Sequence, residues 1–424
     1  MTVLGTSTSN FAQKCFDDIR KLSADTLGVT RQGYSSMESA VLDYFTAIGK
    51  ELNLEIERDP AGNVWMTLPG KNRDLPAIVS GSHADSVPQG GNYDGLAGIV
   101  AALCVAKRLR EENVELTRDY RVLMIRMEES SFFGKCYVGT LAMTGQLTQN
   151  DLQLRHRTLD KTLAETMREV GCDPELFTRG TPLVDLKKMG IFLELHIEQG
   201  PTLDSSADER VGIVTGIRGN IRYKAVKIIG QTAHSGAVDK PFRHDAVLAF
   251  ADFAHRLDLA WDELLKKGED LVFTIGTVNT AKTAAISVVP GEVSFCVDMR
   301  SLSRETLAEF NAILRNTANA VEAERGVKFE FSSEILTAPF AMKQDLVSLL
   351  DKSAKEANLR VRLLPSGAGH DSCVFGNLGI PVGMIFVANQ NGSHNPYEEM
   401  RLDDFMQGTN MLFVAVECAD SDYL

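Results

Sequence analysis

The spacing of apolar positions changes several times along the chain, and each change marks an element. Over residues 36–52, Met37, Val41, Leu42, Tyr44, Phe45 and Ile48 recur every three or four residues, which predicts a helix with one apolar stripe. Residues 54–57 and 64–68 alternate as half-buried strands do, with 59–62 as the turn between them. Residues 77–79 form a short apolar run without alternation, as expected of a strand buried on both faces. Such runs return at 120–127, 190–195 and 381–387, separated by helical stretches such as 96–110 and 160–170. This predicts an α/β domain, a mostly parallel sheet with helices on both faces. Between about 212 and 330 the texture shifts: 223–229 and 292–300 alternate, while 244–265 and 304–325 read as long amphipathic helices. The expectation is a smaller α+β domain (212–330) inserted into a discontinuous larger one (1–211 and 331–424), with the polar stretch 204–210 as the entry hinge and the exit near 329–336.

Composition narrows the function. The 424 residues carry 44 Lys plus Arg against 57 Asp plus Glu, a formal charge of −13, which disfavours nucleic acid or anionic lipid as a partner. No apolar run approaches the roughly 18 residues of a membrane span. Residues 1–10 have neither a basic nor an apolar leader region, so the expected location is the cytoplasm. The seven cysteines are scattered and never form a C-x-x-C pair, which predicts reduced core residues.

The chemistry follows the apolar runs, four of which are followed at once by metal-type ligands. Residues 77–79 lead to His83, Asp85 and Asp94, 120–127 to Glu128 and Glu129, 190–195 to His196 and Glu198, and 381–387 to His394. In open α/β sheets the ligand crevice lies beyond the carboxyl ends of the strands, where distant residues converge. Imidazole and carboxylate without thiolate suit a hydrolytic Zn²⁺, Mn²⁺, Co²⁺ or Ni²⁺. Two ions about 3.5–4 Å apart, sharing one carboxylate, would activate a water and polarise a carbonyl. Of the adjacent pair Glu128 and Glu129, one bound to metal and one free to move protons would relieve their repulsion, and the pattern leaves open which does which. Asp85, two residues beyond His83, is placed to accept that ring's second N–H. His156 and His255 read as ordinary surface or core histidines.

The segments His83-Ala84-Asp85-Ser86-Val87, Gly90-Gly91-Asn92-Tyr93-Asp94-Gly95, Glu128-Glu129, Glu194-Leu195-His196-Ile197-Glu198-Gln199-Gly200-Pro201, Ser366-Gly367-Ala368-Gly369-His370-Asp371 and Ser393-His394-Asn395-Pro396 resemble, in order, the hydantoinase/carbamoylase branch of the metal-dependent aminoacylase and carboxypeptidase superfamily. That branch holds N-carbamoyl-L-amino-acid hydrolases, β-ureidopropionases and allantoate amidohydrolases. The resemblance implies two divalent ions bridged by Asp94, one held by His83 and His196 and the other by Glu129 and His394, with Glu128 as general base. It implies that the inserted domain is a lid and dimer interface, and that His234 reaches the partner subunit's site to stabilise an oxyanion. Arg300 would pair with a substrate carboxylate, and Gln199, Ser287, Gly367 and Gly369 would contact substrate.

Three places depart from the family's usual sequence. Ser130-Ser131-Phe132-Phe133 stands where Gly-Ser-Arg-Phe is common, His234-Ser235-Gly236-Ala237-Val238-Asp239-Lys240 where His-Ala-Gly-Thr-Thr-Pro-Met is common, and Ser287 where an Asn touches substrate. None is a metal position, but all lie where substrate is read. The expectation is a homodimeric dinuclear amidohydrolase acting on a small carboxylate-bearing molecule, foremost an N-carbamoyl-L-amino acid. The alternatives are a related amidase or deaminase with a different acyl or aryl substrate, and a non-catalytic binding protein that keeps the fold.

Overall fold

The computed structural model describes residues 6–424; residues 1–5, part of the N-terminal stretch 1–10 considered above, lie outside the described residues. The chain forms two compact units, one of residues up to 215 with 342–424, the other of 216–341. The strands in chain order are β1 (Glu55–Arg58), β2 (Val64–Leu68), β3 (Ala77–His83), β4 (Tyr120–Ile125), β5 (Met189–Ile197) and β6 (Val211–Ile217). Next come β7 (Gly219–Ile229), β8 (Ala233–His234), β9 (Val272–Thr280), β10 (Val288–Val289), β11 (Glu292–Ser301), β12 (Lys328–Phe331), β13 (Glu334–Thr337) and β14 (Phe340–Ala341). The last two are β15 (Val361–Ser366) and β16 (Val382–Val387).

In the larger unit the sheet runs β1-β2-β4-β3-β5-β16-β6, with β15 also on β6. Its heart, β4-β3-β5-β16, is parallel throughout, while β2 and β6 join it antiparallel and β1 pairs antiparallel with β2. Every residue of β3 and of β16 is buried, which explains runs that do not alternate. Helix Leu96–Glu111 packs on this sheet under the helices Thr6–Leu22 and Leu402–Cys418, so it is apolar on nearly every side and buried from Leu96 to Leu109. Among the described residues no helix is long and apolar enough to cross a membrane.

The smaller unit is an antiparallel sheet ordered β12-β7-β11-β9, with β13 also on β7. Helices Ala246–Lys266 and Arg304–Arg325 cover one face; Phe253, Leu257, Phe310 and Leu314 pack there with Val226, Ile228 and Phe295 in one core. Strand β11 therefore alternates strictly between buried and half-buried positions, unlike the parallel strands. Both helices begin on a side-chain cap, Asp245 and Ser303.

The division differs from the expected boundaries for a physical reason. The polar stretch 204–210 is no hinge but a knot within the larger unit, where Asp204 Oδ1 takes bonds from Arg210 at 3.1 Å, Arg401 at 3.0 Å and Gln390 at 2.7 Å. Strand β6 continues unbroken past residue 211, and the units part after Thr215. On the return, β12 and β13 both take their backbone partners from β7, which keeps the chain in the smaller unit to Ala341 rather than 330.

Candidate metal centre

Strand order decides what meets. Because β4, β3, β5 and β16 are parallel neighbours, their carboxyl ends lie side by side: β3 ends on His83, β4 leads to Glu128 and Glu129, β5 carries His196, and β16 leads to His394. The fifth group, Asp94, precedes helix Leu96–Glu111, whose N-terminus favours negative charge. His83, Asp94 and His196 offer three ligand atoms to one point, and Asp94, Glu129 and His394 offer three to another. Asp94 Oδ1 lies 3.4 Å from His83 Nε2 and 3.2 Å from His196 Nε2, and Asp94 Oδ2 lies 3.4 Å from His394 Nε2. Glu129 Oε1 is 3.0 Å from the same His394 nitrogen.

The hydrogen bonds test whether these atoms suit a cation. His83 Nδ1 faces the Asp85 carbonyl and carboxylate oxygens, each at 3.2 Å, and His196 Nδ1 faces the Ile197 carbonyl at 2.9 Å. Each Nδ1 therefore carries the ring's proton, and the neutral ring turns its Nε2 lone pair towards Asp94. The Gly95 N–H donating to His196 Nε2 at 3.3 Å agrees with that assignment. Asp94 Oδ1 is buried without a hydrogen-bond partner among the described residues. Two lone pairs and a carboxylate oxygen converging in a buried place repel one another unless a positive charge sits among them, so the donor set fits a divalent ion.

The electrostatics agree. Burial works against a charged His83, yet Asp85 and Asp94 raise its pKa well above the usual histidine range; burial works against a charged His196 as well, and Asp94 raises its pKa from the usual value. His394, about half exposed, is pushed up to about 10 by Asp94 and Glu129. Burial also disfavours ionised Asp94, but the three histidines hold it well below the usual carboxylate range. Glu128 goes the other way: burial, with Glu129 and Asp371 adding to it, holds its carboxyl well above the usual range against the pull of His83. A carboxylate more basic than usual suits a proton acceptor.

The surrounding backbone is held tightly. Asp85, which bonds His83, also accepts the N–H groups of Glu128 at 2.9 Å and Glu129 at 3.1 Å, so one carboxylate sets a histidine and both glutamates. Gln199 Nε2 donates to Asp94 Oδ2 at 2.8 Å, while its own Oε1 is buried without a hydrogen-bond partner among the described residues. Met127, Gln199 and His394 have φ of 45°, 64° and 60°, a conformation that costs non-glycine residues roughly 1–3 kcal/mol each and that clusters at sites. Gly95 has φ of 67°, and a Cβ there would meet the His83 ring at 2.5 Å. Gly95→Ala is therefore expected to push His83 off its position and lower metal content in a folded protein, measurable by elemental analysis beside a thermal melt.

Two supporting carboxylates escape sequence reasoning. Glu398 is buried and accepts the N–H groups of Tyr93 at 2.8 Å and Asp94 at 3.2 Å. Its only signal is an acidic residue close behind Ser393-His394-Asn395-Pro396. Glu38 is buried against Arg126 and accepts the Met127 N–H at 2.8 Å. In the sequence it stands three residues after Ser35, as the acidic residue of a capping box does, and Ser35 does accept the Glu38 N–H.

The other expected residues fall in two places. In the larger unit, Gly367 and Gly369 lie in a turn knit by Ser366 Oγ, which reaches the Ala368 carbonyl at 2.8 Å and His370 Nε2 at 2.9 Å. A Cβ on Gly369 would meet the Tyr137 hydroxyl at 1.6 Å. His234, Ser287 and Arg300 lie in the smaller unit. There the ribbon β8–β10 sets His234 beside Ser287, whose carbonyl accepts the Ser235 N–H at 2.9 Å. The Gly236 N–H donates to His234 Nδ1 at 3.1 Å, which leaves the neutral ring's proton on Nε2 as an outward donor. Arg300, on β11, bonds Asp298 at 2.8 Å. His156 is a satisfied core histidine between Phe132 and Phe133, bonded to Gln32 at 3.0 Å, and His255 is exposed on helix Ala246–Lys266.

Residues 79–417 match the family model described as peptidase family M20/M25/M40. The chain is 32% identical to an allantoate amidohydrolase of Bacillus subtilis, over 88% of each chain. It is 31% identical to an N-carbamoyl-L-amino acid amidohydrolase of Geobacillus stearothermophilus, over 92% of this chain and 93% of that one. Its fold superposes on a crystal structure of an amidase of the hydantoinase/carbamoylase family from Burkholderia multivorans with a TM-score of 0.87 at 28% identity, covering 96% of this chain and 97% of the other.

Proposed function

The chain belongs to peptidase family M20/M25/M40, in its hydantoinase/carbamoylase branch, and on that premise we propose that it hydrolyses N-carbamoyl-L-amino acids with two divalent ions bridged by Asp94. It is a hydrolase of carbon–nitrogen bonds other than peptide bonds. The observation that carries the two-ion reading is Asp94 itself, each of whose oxygens faces a separate set of donors.

Ions held by His83, Asp94 and His196 and by Asp94, Glu129 and His394 would polarise the ureido carbonyl and lower the pKa of a water towards about 7. Glu128 takes the proton of that water as its oxygen bonds to the carbonyl carbon. It returns the proton to the amino-acid nitrogen as the carbon–nitrogen bond breaks. The carbamic acid released falls to CO₂ and ammonia. Gln199 Oε1, an acceptor without a partner among the described residues, is suited to an N–H of the ureido group. The Nε2–H of His234, acting across a homodimer, would stabilise the oxyanion, and Arg300 would hold the substrate carboxylate. Mixing Glu128→Gln with His234→Ala subunits, each inactive alone, is expected to restore activity, because a mixed dimer has one intact site. No recovery between subunits shown to exchange would refute the shared site.

A related amidase with a different acyl or aryl substrate is the second reading. It is favoured by Phe132, which stacks on His156 with ring centroids 5.4 Å apart where a cation is usual, and by Ser287 in place of Asn. Ammonia or amine release from carbamoyl, formyl and acyl amino acids, β-ureidopropionate, allantoate and aromatic amides, each with Mn²⁺, Co²⁺, Ni²⁺ and Zn²⁺, decides between them. Turnover of carbamoyl amino acids in preference to all others supports the first reading. Preference for an aromatic or acyl amide supports the second.

A further inference from the structure

Arg31 is fully buried, precedes the matched residues 79–417, and lies against the segments that follow His83 and precede Asp94. Its backbone is clamped to Ser86 by two bonds, Arg31 N–H to Ser86 Oγ and Ser86 N–H to the Arg31 carbonyl, each 2.9 Å. Two more bonds of 2.9 Å pair Val29 with Gly90. From this anchored backbone Nε donates to the Ala84 carbonyl at 2.9 Å, while Nη1 and Nη2 face the Asn92 side-chain and backbone oxygens at 3.3 and 3.5 Å. Asn92 is fixed in turn by its Nδ2 donating to the Phe16 carbonyl at 3.0 Å. One planar group thus spans the residue after His83 and the residue two before Asp94.

We propose that Arg31 is a positioning residue of the metal centre, whose fork sets the distance between the 83–86 and 91–94 segments so that His83 and Asp94 converge on one ion. This rests on the two-ion reading. All its acceptors above are neutral oxygens, an expensive setting for a buried cation. Burial lowers its pKa to about 10, and the field of Glu398, Asp85, Asp94 and Glu129 works against that fall. Lysine would keep the charge but, as a single point donor, could not bridge both segments.

The test is a Co²⁺ titration of apo protein followed by visible absorption, for the wild type, Arg31→Lys, Arg31→Met and a control, Arg108→Lys. Arg108 is another buried arginine, bonded to Glu112 and Asn410 and stacked on Phe413. The wild type and the control are expected to bind two Co²⁺ with the same spectrum. Both Arg31 variants should bind at least one ion tenfold or more weakly with an altered spectrum, and kcat should fall at nearly constant KM. If the Arg31 variants do not fold, Asn92→Ala, which removes one end of the bridge, carries the same expectation. Wild-type affinity and spectrum in the folded variants would overturn the proposal, as would an equal change in the control. A wild type that takes up no Co²⁺ would overturn the metal reading itself, and this inference with it.

Discussion

Glu128→Gln is expected to lower kcat by about 10²–10⁴-fold, the usual contribution of a positioned general base, while metal content stays near that of the wild type. The separation follows from geometry. Glu128 is in neither group of ligand atoms that meet at a point, whereas Glu129, one residue on, is in the second. Its backbone N–H is tied to Asp85 at 2.9 Å independently of its side chain, so an isosteric amide leaves the turn in place. What the amide loses is the ability to take a proton. Steady-state kinetics beside elemental analysis checks both halves. Unchanged kcat would remove Glu128 as the base, and lost metal would make it a ligand instead.

Asp94→Asn is expected to have the opposite signature: both ions go, and activity goes with them. An amide in that position keeps the shape but carries no charge, and its nitrogen would turn N–H donors towards one set of lone pairs. Altering a group that merely supports a metal ligand costs about 10–100-fold in affinity or activity. A shared carboxylate should cost more than that at each ion, because Asp94 faces His83 and His196 on one oxygen and His394 on the other. Loss of one equivalent with the other retained at wild-type affinity would show that Asp94 does not bridge.

The parallel core was legible because strands buried on both faces leave unbroken apolar runs, and because His83, Glu129, His196 and His394 each follow one. Their clustering around Asp94 then depends only on the strands being parallel neighbours, as β4-β3-β5-β16 are. Where sequence reasoning stopped short, the cause was long-range pairing. Asp204 and Arg210 look like a solvated hinge until Arg401 and Gln390, nearly 200 residues on, join them. Arg31, Glu38 and Glu398 are buried charges, each bonded to a backbone group 53, 89 and 304 residues away respectively, and no local pattern distinguishes them from surface charges. The departure at Phe132 was visible, but not that its ring and that of Phe133 would enclose His156.

The most direct measurement is a titration of metal-free protein with Mn²⁺ or Co²⁺ while ammonia release from N-carbamoyl-L-amino acids is followed. A two-ion centre bridged by Asp94 requires turnover that rises with added metal and saturates at two equivalents per chain. Saturation at one equivalent, or no ammonia from any carbamoyl amino acid with the site fully loaded, would contradict it.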